Sequence, residues 1–481
     1  MKKYNRFIII AAVVFSVMSC KKILDVTPQS QITGQVYFKS EGDFAPYVTG
    51  IYTYMRTMAN NVTYGEERSE ELIPASNARF STAWSQILSP TVGAVDYSGW
   101  YTAIGHCNLL LDKIAAFDFS TNPDSKKQIE AETYCLRAYF YFNLMRIIGD
   151  CPLMLQSITN ADVPELPRSS AKDVMTQVMK DLDTAISLFP TQAFTSKYRF
   201  SYYAAEALKA DASLWNAKVV GAGITGFNEA IASVNEIEGA GLSLLPKFGD
   251  VITVRNNNEV ILAAYYNRDE TGNNYAVNAL PFKTIVGSAL NIDSIPYCET
   301  STYGQGAYQI SELSRALFTN PNDKRIPATW ILERDVNKTS FAWITKYPGN
   351  LYADVGRVPD NDVVMYRLGG VYLMAAEAYA GIGNSNKAVE YLNKVRERAG
   401  IGDYSGPTDT ATLNKEILDE RGRELFFENR RWYDLVRFYK GGTIDIYNYI
   451  PNLIGKSTPI YWPISSSVLA NNSKLVQTEG Y

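Results

Sequence analysis

Apolar residues recur at three- and four-residue spacing over two long tracts of the chain, and the pattern fades between them. Phe38, Phe44, Val48, Ile51, Tyr52 and Met55 mark a helical stripe within residues 34–58. Trp100 to Ile114 reads as an amphipathic helix. Lys126 to Ile148 reads as a second, carried by Ala131, Tyr134, Leu136, Ala138, Phe142 and Leu144. Gly149 and Pro152 end it, the glycine as stop and the proline just beyond. Ser169 or Ser170 caps the next helix, whose apolar face takes Leu182 and Ala185. Tyr202 to Asn216 is alanine-rich and helical.

Two stretches break this pattern. Residues 59–99 are rich in Asn, Gly, Ser and Pro with scattered aromatics, which predicts a long loop region. Residues 240–350 lose helical period again. Glu259 to Tyr265 reads there as a short strand or as a buried apolar run of either type. Tyr265, Tyr266, Tyr275, Tyr297, Tyr303, Tyr308, Trp330, Trp343 and Tyr347 are spread through it without period.

Helical patterning returns at Val363. Tyr372–Gly383 and Asn386–Gly400 form a helix–turn–helix in which Ala375, Ala378 and Ala388 let two backbones approach closely. The stretch from Glu420 to Phe438 reads as one further helix. Leu418, Leu425, Trp432, Leu435 and Tyr439 fall on one face, and Arg421 and Glu428 share it. A charge inside an apolar stripe must find a partner or cost several kcal/mol. Local partners are available at i+3 or i+4: Arg421 with Glu424, Glu428 with Arg431, Arg430 with Asp434. Arg421, Glu428 and Trp432 are therefore expected to be structural.

The pattern as a whole predicts a mainly α fold. Helix pairs near 100–149, 171–239, 363–400 and 411–438 should pack together, with 240–350 inserted as an irregular, loop-rich lobe. Composition agrees: of 481 residues, 46% are hydrophobic and 20% charged, enough for a large core. A net charge of −4 gives no reason to expect nucleic acid.

Single residues narrow the chemistry. One histidine, His106, lies in an apolar helical run and leaves a His-based zinc site without ligands. Neither a metal nor a cofactor is expected. Cys107, Cys135, Cys151 and Cys298 match no zinc or redox spacing and read as small buried hydrophobes. In an exported protein a pair of them could oxidise, and spacing does not choose the pair. A glycoside hydrolase needs two carboxylates flanking a sugar ring. No motif singles out two among 50 acidic residues, so no catalytic residue is assigned and a binding role is favoured.

Residues 1–19 carry a basic start, an apolar run from Phe7 to Val17 too short to span a bilayer, and Ser19 before Cys20. This resembles a bacterial lipoprotein signal, with Cys20 lipidated and the membrane reached through that anchor alone.

The run Arg421-Gly-Arg-Glu-Leu-Phe-Phe-Glu-Asn-Arg-Arg-Trp-Tyr-Asp-Leu-Val-Arg437 resembles the C-terminal signature of the SusD/RagB family. Ile23-Leu-Asp-Val-Thr-Pro28, Asn393-Lys-Val-Arg-Glu-Arg-Ala-Gly400, Tyr461-Trp-Pro-Ile464 and the closing Glu479-Gly-Tyr481 are similar to further family segments. The helix pair at 372–400 also resembles a tetratricopeptide unit. The resemblance implies a single body over 20–481, with a tetratricopeptide-like scaffold at about 34–239 and 363–440 and a ligand-side lobe at about 240–350. It implies a nutrient-binding lipoprotein of the outer membrane, facing the exterior. Its partners would be an oligosaccharide and a SusC-like TonB-dependent transporter. A peptide ligand, or an anchored glycoside hydrolase, are the alternatives.

Ligand stacking needs aromatic faces beside polar groups. The two irregular regions offer both. Tyr64, Asn77, Arg79 and Trp84 are the candidates in 59–99. Tyr275, Tyr303 and Trp330 are the candidates in 265–345.

Overall fold

The computed structural model describes residues 37–75, 81–158, 164–270, 272–335 and 341–481. The signal segment 1–19, Cys20, Asn77 and Arg79 lie outside the described residues. The chain divides into residues 1–43 and 44–481. In the first unit, a 3₁₀ turn at Glu41–Asp43 is held by the Asp43 carboxylate, which accepts from the Lys39 and Ser40 amides at 2.9 and 2.7 Å.

The second unit is built on helices. Helix α1 spans Phe44–Ala59 and buries Phe44, Val48, Ile51, Tyr52 and Met55, residues of the expected stripe. α2 spans Ser98–Ala116, α3 Pro123–Ile148 and α4 Ala171–Leu188. The Asn122 side chain caps α3 and that of Ser170 caps α4. Gly149 follows α3 at φ +74°, a conformation that suits glycine. α5 spans Tyr202–Trp215 and α6 Ile224–Glu238. α7 spans Leu368–Gly381, α8 Ser385–Ala399, α9 Thr410–Leu425 and α10 Arg431–Lys440.

Successive helices pack on one another. α3 lies on α4, α5 on α6 and α7 on α8, and α7 also packs on α6 and α9. Ala375, Ala378 and Ala388 are fully buried. A Cβ at Gly381 would stand 2.6 Å from the Phe227 ring, so glycine sets how closely α7 approaches α6. The fold is mainly α, in stacked helix pairs.

Three expectations are corrected. Val363–Arg367 is a strand, not the start of a helix. It pairs antiparallel with Val260–Ala264, and both strands are buried along their whole length. A buried pair of strands shows no period of two, and Val363 and Val364 read as helix only by continuity with the tract that follows.

Residues 59–99 are not simply a loop. A π-helical turn covers Thr63–Glu67 and a strand covers Leu72–Pro74. Glu66 and Glu67 at the end of the turn, and Arg68, Ser69, Glu70 and Glu71 between it and the strand, are all buried.

The stretch 420–438 is two helices, not one. The chain turns at Phe427 and Asn429, both at positive φ (57° and 59°). The Phe427 amide donates to Glu71 at 3.1 Å, and the Asn429 amide donates to Glu66. Helix amides are traded for carboxylates some 360 positions away in sequence, which no local propensity reveals. The expected local ion pairs dissolve with the helix. Arg421 pairs with Asp434 at 2.7 Å, Glu428 with Arg367 and Lys346, Arg430 with Asp211 at 2.7 Å, and Arg431 with Glu70 at 2.5 Å.

The stretch 240–350 contains structure of its own. β1 (Leu72–Pro74), β3 (Tyr308–Ile310), β5 (Ala342–Ile344) and β4 (Trp330–Leu332) form one antiparallel sheet in the order β1-β3-β5-β4. β2 (Val260–Ala264) pairs with β8 (Val363–Arg367), and β6 (Asn350–Tyr352) with β7 (Gly356–Val358). Cys107, Cys135, Cys151 and Cys298 are buried free thiols. Among the described residues no helix is long and apolar enough to cross a membrane.

Candidate ligand-binding face

The four-stranded sheet joins the two irregular regions. Pro74 lies opposite Tyr308, and Ile73 opposite Gln309. Gln309 lies opposite Trp343, and Trp330 opposite Ile344. The sheet is anchored by Trp343, which is fully buried, packs in a cluster with Ala75, Val286, Ala289 and Ile295, and donates its indole N–H to Glu333 at 2.6 Å. Phe341 stacks on it at 5.2 Å.

Three candidates lie on or beside this sheet. Trp84 is half-buried and tethered to edge strand β1, its indole N–H donating to the Leu72 carbonyl at 2.8 Å. Its backbone carbonyl accepts from Asn452 at 3.0 Å, so the segment is also pinned to the C-terminal region. Trp330 lies half-buried on the opposite edge strand, β4. Four strands place the two edges about 14 Å apart, enough for an extended ligand. Tyr303, also half-buried, sits in the turn that leads into β3. Gly304 and Gly306 hold that turn down. A Cβ at Gly304 would meet the Leu280 carbonyl at 2.8 Å, and Gly306 adopts φ +55° against Pro281.

Two candidates pack against other aromatics, Tyr275 fully buried and Tyr64 half-buried. Tyr275 is fully buried in an aromatic cluster with Phe427 at 4.9 Å and Tyr347 at 5.4 Å. Burial pushes its hydroxyl well above its ordinary value. A ligand could reach that ring only by opening the core. Tyr64 stands edge-on to Trp462 at 5.1 Å, and burial pushes its hydroxyl up to about 12. Aromatics without period gave no signal to separate these from Trp84, Tyr303 and Trp330.

Behind the lobe lies a network of buried charges. Arg325 pairs with Asp323, Glu420 and Glu424, and Arg367 with Glu259, Glu424 and Glu428. Burial alone would raise the Glu424 carboxyl, but Arg398, Arg367 and Arg325 hold it well below the usual carboxylate range. Glu428 is held low by Arg367 and Lys346 against the same burial. Trp432 is fully buried, with the Arg68 guanidinium 4.2 Å from its ring centre. Sequence reasoning missed the partners on Glu66–Glu71. The available signal was four acids within six residues facing an arginine-rich signature elsewhere in the chain.

Stacked helix pairs bearing an aromatic lobe, with their buried charges tied in ion pairs, define a helical scaffold of the tetratricopeptide-like kind. The chain belongs to the SusD/RagB family. The family model described as SusD family matches residues 337–481, and the one described as starch-binding, associating with outer membrane, matches residues 22–214. SusD-like protein P38 of Formosa agariphila is 24% identical over the full length of both chains. The starch-binding protein SusD of Bacteroides thetaiotaomicron is 34% identical over 137 residues, 26% of this chain and 22% of that one. Among solved structures, a SusD superfamily protein from Bacteroides fragilis superposes with a TM-score of 0.80 at 26% identity, covering 92% of this chain and 100% of that one. NanU of B. fragilis gives 0.81 at 26% identity, covering 95% and 100%.

Proposed function

We propose that this protein captures a glycan on the lobe carrying Trp84, Tyr303 and Trp330 and passes it to a TonB-dependent transporter in the outer membrane. It acts as a binder, not an enzyme. The observation that carries the reading is the sheet itself, which has Trp330 on edge strand β4 and holds Trp84 to edge strand β1 through the Leu72 carbonyl. Sugars offer apolar ring faces and a rim of hydroxyls, so half-buried Trp and Tyr rings suit them. A relative named starch-binding supports the same ligand class. Acylation of Cys20 would hold the protein at the outer membrane, facing the exterior, and Asn77 and Arg79 would add polar contacts to the ligand.

The test is a glycan array probed with the mature protein, followed by calorimetry on the sugars that bind. Binding that weakens in Trp84→Ala and Trp330→Ala supports the reading. A protein that binds peptides but no glycan sinks it.

A further inference from the structure

Arginines in this molecule are almost all committed. Buried or half-buried guanidinium groups at Arg137, Arg325, Arg367, Arg421, Arg431 and Arg437 each hold a carboxylate within hydrogen-bond distance. Others, such as Arg168 and Arg357, donate to backbone carbonyls. Arg315 does neither. It sits half-buried near the end of the short helix Glu312–Ala316. Among the described residues its side chain has no carboxylate and no carbonyl acceptor, and its Nε is buried without a partner. Its guanidinium lies 5.9 Å from the centre of the Trp330 ring. The Trp330 indole N–H is likewise buried with no acceptor.

Two unsatisfied donors on contacting side chains are costly to leave so. A guanidinium presents paired N–H groups that match a carboxylate, and an indole supports it through its π face. Both belong to the aromatic lobe already described. Resting on the glycan-binding reading above, we infer that the ligand bears a carboxylate, as an acidic sugar does, and that Arg315 receives it beside the Trp330 ring.

The experiment uses the mature protein and an array holding uronate-containing and sialylated glycans together with neutral ones. Each acidic probe is paired with its methyl ester. Wild type, Arg315→Gln and Arg315→Lys are compared by calorimetry on every probe that binds. The expected result is binding to free-acid probes, weakened about tenfold or more by esterification and by Arg315→Gln, and weakened less by Arg315→Lys. Melting temperatures should change little in both variants, since Arg315 makes no ion pair and its contact with the Trp330 ring is a long one, at 5.9 Å. Binding of neutral glycans, or equal affinity for acid and ester with Arg315→Gln silent, overturns the inference and leaves the glycan reading standing. Binding of no glycan at all, or of peptide carboxylates alone, overturns both.

Discussion

Arg367 on β8 and Glu428 in the turn between α9 and α10 stand 61 positions apart in sequence and meet in a bidentate pair, at 2.9 and 2.8 Å. Both are buried. Lys346 adds a second cation on Glu428, and Arg367 also reaches Glu259 and Glu424. One carboxylate thus ties the β2–β8 ladder, the segment after β5 and the α9–α10 turn together. Removing one partner of a buried pair strands the other charge, at a cost of roughly 3–5 kcal/mol. Glu428→Ala should therefore lower the melting temperature clearly while the folded fraction keeps its ligand affinity. A variant that melts like wild type but no longer binds would move Glu428 to the binding site.

The second prediction concerns pH. Glu66 and Glu71 lie beneath the same turn, are buried, and interact with each other. Burial first, and then Glu71, pushes the Glu66 carboxyl well above its ordinary value. Burial pushes Glu71 up to about 7, against the hydrogen bond from Glu66, the charge of Arg431 and the Phe427 amide, and with Glu70 adding to the rise. Lys346 and the Asn429 amide pull Glu66 the other way. Both net shifts are upward, so the folded state holds protons that the unfolded chain has released. The stabilisation is fully present below the ordinary carboxylate value of 4.5 and is lost as pH rises through about 7. Glu71→Gln keeps an acceptor for the Phe427 amide and cannot ionise. Thermal melts across that window should show wild type losing stability and Glu71→Gln losing less. Parallel curves would show that the pair does not hold the extra proton.

Much of the scaffold was legible because it is local. The stripe Phe44, Val48, Ile51, Met55 follows the helical period, and Ser170, one of the two expected caps, marks where α4 begins. What escaped was set by partners distant in sequence. Arg421-Gly-Arg-Glu reads as helix and is helix, but nothing local says that the chain turns at Phe427 to offer its amides to Glu66 and Glu71. The acid run 66–71 reads as solvated loop because charges are seldom fully buried, yet its arginine partner Arg431 lies 361 positions on. At the ligand face, Trp84 and Trp330 were legible as aromatics on irregular chain. That Trp330 stands on edge strand β4 of a sheet whose other edge, β1, holds Trp84 through the Leu72 carbonyl was not, since strands of three residues carry too few positions to show a period.

The anchor makes a third prediction. Cys20 follows a basic start and a short apolar run. Cells given an alkynyl fatty acid should label the wild-type protein and not Cys20→Ala, and the variant should leave the membrane fraction. Equal labelling of both would dismiss the anchor. The result bears on the proposed function, because a lipid-held binder stays at the membrane while a released one does not.

The last prediction separates ligand-facing aromatics from core ones. Trp84, Tyr303 and Trp330 are half-buried, whereas Tyr275 is enclosed by Phe427 and Tyr347. Truncating a stacking platform typically weakens binding by roughly 1–3 kcal/mol. Truncating a fully buried aromatic typically costs about 3–5 kcal/mol of stability. Alanine at Trp84, Tyr303 or Trp330 should therefore lower glycan affinity with little change in melting temperature. Trp84→Ala should show a small drop in stability as well, because it loses the bond to Leu72. Tyr275→Ala should do the opposite: a large fall in melting temperature, with affinity kept in whatever fraction remains folded. Calorimetry and thermal melts on the same four variants decide it. If Tyr275→Ala alone lost affinity without losing stability, the core around Phe427 would open to admit ligand, and the binding face would have to be moved from the sheet to the α9–α10 turn.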